Sequence, residues 1–211
     1  MSSPEPATAA EFPPGFFDRV DESPDPVFYG PPRLVTHIDD HAIAAVGEFY
    51  ARIGTGERVL DLMSSWISHL PVAPRELTVL GMNRAELEAN SMADAIVVHD
   101  LNDDPTVPFD DASFDTVICT VSVDYLTRPV AVFADVARVL APGGRLACTF
   151  SNRCFPTKAI RGWLETDDRG HCAIVARYIE LADAFEPPAV ETLVPAGIGH
   201  DPLYAVWADR R

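Results

Sequence analysis

Between Asp61 and His69 the chain gathers a carboxylate, the hydroxyls of Ser64, Ser65 and Ser68, an imidazole, and the indole of Trp66. Such a set can hold a polar ligand by hydrogen bonds, with Trp66 packing on it or walling the site. A plainer use is open at the same place: Ser64 or Ser65 could N-cap a helix kept short by Pro71 and Pro74. A second group is His37, Asp40 and His41, whose histidines are spaced to share a helix face, as metal ligation or acid–base chemistry requires. These residues also read as an acidic helix N-terminus with half-exposed histidines, and no metal is expected. Proton transfer by His37 or His69 is the chemistry expected of them, because imidazole titrates near neutral pH. Further on, Ser151, Asn152 and Arg153 add donors, and Arg153 could grip a substrate carboxylate with two parallel bonds. Lys158 and Arg161 could help it or pair with surface acids.

These groups fall at the ends of apolar runs. Arg58–Leu62, Leu77–Gly81, Ala95–His99, Phe114–Thr120 and Arg145–Phe150 read as buried strands. Helices are expected at 84–91 and 129–140, the latter closed by Pro142-Gly143-Gly144. An earlier helix is expected from a Thr36 N-cap, with a stripe of Ile38, Ile43, Val46, Phe49, Tyr50 and Ile53, ended by Gly54 and Gly56. Strands alternating with helices imply right-handed βαβ units and a parallel sheet covered on both faces. After a helix near 171–184, Val190–Val194 and Leu203–Ala208 read as a terminal hairpin. Residues 1–32 are punctuated by prolines and are expected to form a tail or irregular lid, with one domain over 33–211. In an open sheet of this kind a ligand binds outside the carboxyl ends of the strands, which is where the polar groups sit.

Composition narrows the partners. The net charge of −16 disfavours phosphate backbones and anionic membranes, so neither nucleic acid nor membrane is expected as a partner. Cys119, Cys148, Cys154 and Cys172 lack CxxC spacing, and two lie in apolar runs, which fits reduced thiols in a cytoplasmic protein. The first residues show neither a basic region nor an apolar core of a signal peptide. A homodimer is possible.

Val107-Pro108-Phe109-Asp110-Asp111-Ala112-Ser113-Phe114-Asp115, followed by Ala137-Arg138-Val139-Leu140-Ala141-Pro142-Gly143-Gly144, resembles the late motifs of class I S-adenosylmethionine (SAM) dependent methyltransferases. The resemblance covers about 57–209 and implies a Rossmann-like, doubly wound α/β fold. Its sheet would be seven-stranded and mostly parallel, with a C-terminal antiparallel hairpin. It further implies SAM as cofactor and a small-molecule acceptor. The family's glycine-rich turn keeps its acid here as Asp61, but Met63, Ser65 and Ile67 stand at the glycine positions. The family's ribose-gripping acid after the second strand is replaced by Asn83, while Asp100 and Leu101 match the adenine position. By the same resemblance Asp61, Met63, Ser64, Ser65, Trp66 and Ser122 border the cofactor. Asp124 and Tyr125 would orient or deprotonate the acceptor, with packing beneath the next helix as the plainer use of Tyr125. The altered turn reads either as a decayed pocket or as a retained and reshaped one; the clustered polar groups favour the second. Other chemistry on the same fold (a lyase, cyclase or hydrolase) and a non-catalytic partner subunit are the alternatives.

Overall fold

The computed structural model describes residues 11–197 and 199–211. Its strands are β1 (Arg58–Leu62), β2 (Glu76–Gly81), β3 (Ala95–Val98), β4 (Phe114–Thr120), β5 (Leu140–Phe150), β6 (Ala189–Val194) and β7 (Leu203–Asp209). They form one sheet in the order β3-β2-β1-β4-β5-β7-β6. The five from β3 to β5 run parallel, and β7 lies antiparallel between β5 and β6. The order reverses between β1 and β4, which creates a crevice at their carboxyl ends. Its helices are α1 (Asp25–Tyr29), α2 (Asp40–Ile53), α3 (Arg84–Ala89), α4 (Pro129–Val139), α5 (Arg161–Leu164) and α6 (Asp168–Leu181). Two apolar clusters cover the sheet, one with Phe133 of α4 and Tyr178 of α6, the other with Val46 and Phe49 of α2. No helix among the described residues is long and apolar enough to cross a membrane. Cys119 and Cys148 face each other in register on β4 and β5 as buried free thiols.

Several local expectations are corrected. α2 is capped by Asp39, whose carboxylate accepts from the Ala42 amide, and not by Thr36. β5 starts at Leu140, so Pro142-Gly143-Gly144 forms a bulged entry to the strand instead of closing α4. The bulge follows from Gly143 at φ 72 and from Gly144, where a side chain would meet the backbone oxygens of Ala141 and Asp115. α6 begins earlier than the apolar pattern suggests because Asp167 caps it through the Gly170 amide. The proline-rich segment also holds regular structure: α1 forms there, with Pro24 at its N-cap and Pro26 in its first turn, where fixed φ favours a helix start. That segment is pinned elsewhere, since Gly162 of α5 has no room for a side chain beside the ring of Phe16.

The largest departure lies between β1 and β2. A parallel crossover normally runs through a helix, yet residues 63–75 contain none. Pro71 and Pro74 deny it amide donors, and Met63 and His69 adopt φ of 56 and 54. Ser64 and Ser65 therefore cap nothing. The turn instead folds back over the end of β2, where the Ser64 amide donates to the Leu80 carbonyl at 2.7 Å.

Candidate functional site

The exits of β1, β2, β3 and β4, with the stretch after β5, open into a cavity of about 290 Å³. His37, Asp61, Met63, Ser64, Ser65, Trp66, His69, Asn83, Asp100, Leu101, Ser122 and Tyr125 line it. Asp124 does not: it is buried behind the lining, in a 3₁₀ turn at Val123–Tyr125. Glycine is absent from the first turn, yet its backbone shape is not. Met63 takes the left-handed conformation for which glycine is the usual residue. His69 and Val121 do so too (φ 54 and 49), so three strained non-glycine residues face one cavity.

Burial sets the electrostatics of the floor. Asp61 is 1% exposed and its carboxyl is pushed up to about 7 by desolvation, opposed by the hydroxyls of Ser64 and Ser68. Ser64 Oγ donates to Asp61 Oδ2 at 2.6 Å. Asp124 is pushed up to about 8 by the same cause, and its Oδ2 has no partner among the described residues. His69 is driven down to about 4 by burial and then by the nearby His37, itself lowered by burial. Both imidazoles are neutral at physiological pH, and His69 Nδ1 has no partner among the described residues. Tyr125 accepts from the Phe155 amide at 2.9 Å.

Other sequence-named groups are placed elsewhere. His37 precedes α2 and contacts the Phe155 ring edge-on, whereas His41 stacks on His200 at 4.2 Å, so the two do not share a helix face. No cluster suited to a metal ion occurs among the described residues. Arg153 stands at the mouth, 64% exposed and 3.9 Å from Asp201. Arg161 pairs with Asp18 at 3.3 Å. Lys158 is fully buried: its Nζ donates to the carbonyls of Asp21 and Ser23 and pairs with the carboxylates of Asp21 and Asp25.

Lys158 therefore fastens a strap, residues 19–37, that crosses the cavity. Asp25 of the strap also pairs with Arg19 at 2.7 Å and accepts from Asn102 at 2.8 Å. Trp66 Nε1 donates to the Val35 carbonyl at 3.1 Å. Glu86 accepts from the Arg33 amide and from Ser65 Oγ, at 2.7 and 2.6 Å. Asn83 donates to the carbonyls of Tyr29 and Gly30. The strap brings in residues that sequence reasoning missed. Tyr29 lines the cavity with a hydroxyl that has no partner among the described residues and is raised in pKa by burial. Phe28, Tyr29, Tyr125 and Phe155 form a chain of aromatic contacts, and the Arg33 guanidinium lies 4.6 Å from the Phe28 centroid. The Phe28-Tyr29 pair inside a proline-rich stretch was the available signal. Glu86 had none, since its spacing from Asn83 reads as ordinary capping.

A family model described as a methyltransferase domain matches residues 54–148. Demethylmenaquinone methyltransferase of Mycobacterium sp. strain KMS is 35% identical over 116 residues, 50% of this chain and 48% of that protein. The protein of the same description from strain MCS matches with the same figures. The chain spans about half the length of these curated relatives. Among solved structures, a SAM-dependent methyltransferase from Thermotoga maritima, a possible histamine N-methyltransferase, matches with a TM-score of 0.58 at 12% identity, over 81% of this chain and 90% of that one. The [4+2]-cyclase SpnF matches with a TM-score of 0.58 at 16% identity, over 81% of both chains. At such identities these structures speak to the fold alone. Over residues 54–148 the chain is thus similar to methyltransferase domains, and its sheet has the fold of the SAM-dependent methyltransferase structures, with a glycine-free turn after the first strand.

Proposed function

We propose that this chain transfers a methyl group from SAM to a small acceptor bound beneath the strap. The observation that carries this reading is the convergence of four parallel-strand exits on one cavity beneath the strap, within and beside the matched domain. The lining suits the cofactor over most of its length. Asp100, Leu101 and Ser122 would border the adenine end, and Asp61, Met63, Ser64 and Ser65 the amino-acid end. The buried Asp61 is suited to an ammonium group, which would draw its carboxyl back to the ionised form. SAM supplies a methyl group on a sulfonium, so the protein's task is to position the acceptor and remove at most one proton. Tyr125 and Tyr29 would orient the acceptor by their hydroxyls. His37 and His69, neutral and facing the cavity, are the candidate proton acceptors. Asp124 would act from behind the lining, through the 3₁₀ turn that carries Tyr125. Trp66 and the strap would keep water out.

A small, flat acceptor is supported by the aromatic walls and by the named activity of the curated relatives. The net charge of −16 argues against a nucleic acid acceptor. A cytoplasmic location and a homodimer are part of this reading. One observation favours a second reading, other chemistry on the same fold: the ribose position, Asn83, is occupied with holding the strap. Calorimetric titration with SAM and S-adenosylhomocysteine (SAH) tests the first reading. Micromolar binding of both is expected; no binding of either at high micromolar concentration would sink it.

A further inference from the structure

Asn83 is held differently from the other groups at the strand exits. Its Oδ1 accepts from the Glu86 amide at 3.2 Å, capping α3, and its Nδ2 donates to the carbonyls of Tyr29 and Gly30 at 2.9 and 2.8 Å. Carbonyls only accept, so they fix which way the amide faces. The two acceptors close the C-terminal end of α1, whose last carbonyls have no helical partner of their own. A carboxylate at position 83 would confront them with no proton to share.

We propose that Asn83 is a positioning residue that latches the strap shut, and that the strap and the cofactor's ribose diol compete for it. This rests on the reading that the cavity takes an adenosyl cofactor. With the strap latched, Asn83 keeps one acceptor lone pair, whereas a diol presents two donors. The strap must release Tyr29 and Gly30 before the side chain can turn to the ribose. Closure and cofactor entry are thereby coupled through one amide.

Asn83→Asp separates the two roles. Aspartate caps α3 as well as asparagine does, yet it cannot donate to the strap and can accept from both hydroxyls. Asn83→Ser keeps a capping oxygen and loses the latch without adding charge. Hydrogen–deuterium exchange on the full chain should show strap amides, Arg33 among them, exchanging about tenfold faster in both variants, with α3 unchanged. Titration with SAH should show about tenfold tighter binding by Asn83→Asp than by the unaltered protein. Unchanged strap exchange in both variants, while the unaltered protein binds SAH, would overturn the latch alone. Equal or weaker SAH binding by Asn83→Asp would overturn the competition. SAH binding by none of the three proteins would overturn this proposal together with the cofactor reading.

Discussion

The two ends of the parallel strands treat the same side chain in opposite ways. At the entry end, Asp115 accepts from Arg58 Nη2 at 2.6 Å and from the amides of Glu57 and Arg58, and these bonds hold its carboxyl below the usual range. Arg145 pairs with Asp209, and Arg138 with Asp135 and Asp111, in the same satisfied fashion. At the exit end, Asp61 and Asp124 are buried without a cation and pushed up to about 7 and about 8. Three of the five left-handed non-glycine residues among the described residues, Met63, His69 and Val121, also lie there, against Ala112 at the entry end. A fold gains nothing from buried carboxyls without a cation or from left-handed non-glycine residues, so their meeting at the cavity supports the function proposed for that end. The entry end shows what this chain does with aspartate when only stability is at stake.

The strongest way to break the contrast is at Gly81. A side chain there would collide with the Ser64 carbonyl and crowd Leu87. Gly81→Ala should cost about 3 kcal/mol in chemical denaturation, at the upper end of overpacking penalties, and abolish SAH binding. A cost below about 1 kcal/mol would mean that the β1 turn moves freely and that the Ser64 carbonyl does not hold its place against Gly81. Next in size is the pH signature of the exit carboxyls. Asp124 has a folded pKa raised above 3.8, so its contribution is complete below about pH 4 and is lost as pH rises through 8. Asp124→Asn removes that loss. The variant should gain on the order of 2 kcal/mol over the unaltered protein between pH 5 and pH 8.5. A difference independent of pH would contradict a raised carboxyl.

Asp115→Asn should behave with the opposite sign and a smaller size. Its depressed pKa contributes stability above about pH 4 that is lost on acidification. The variant should be about 1 kcal/mol less stable at pH 7, kept small by solvent screening, with the deficit closing toward pH 3. SAH affinity should not change. Equal deficits at both pH values would remove the entry end as a reference.

How much of this was legible in the sequence depended on the range of the interaction. The strands were legible, because buried parallel strands are continuous apolar runs, and strand exits are fixed once strands are known. Met63, Asn83 and Asp100 could thus be located at the cavity from residue order alone. The strap was not, because what holds it is chemistry between residues distant in sequence: Lys158 with Ser23, Asn83 with Tyr29, Trp66 with Val35. Proline punctuation signals the absence of long helices, not the absence of anchoring. Lys158, the single lysine, reads locally as one more surface cation, and its full burial emerges only once Asp21 and Asp25 are brought to it. The missing helix after β1 was half legible, since Pro71 and Pro74 shorten it on paper while the left-handed Met63 and His69 remove it in fact.

The smallest expected effect tests the strap from the side of the altered turn. Trp66 Nε1 holds the Val35 carbonyl from an exposed position, so the bond contributes about 0.5 kcal/mol or less. Trp66→Phe keeps an aromatic wall and deletes the donor. Global stability should stay within about 0.3 kcal/mol, while exchange of amides near Val35 rises about twofold. Trp66→Ala removes the wall as well and should loosen the strap further. If Trp66→Phe alone loosened the strap as much as Asn83→Ser, the anchoring would belong to the glycine-free turn and not to the end of β2. Equal exchange in Trp66→Phe and the unaltered protein would leave Trp66 as a wall only. Between these limits the ratio of the two effects measures how the exit end divides its hold on the strap.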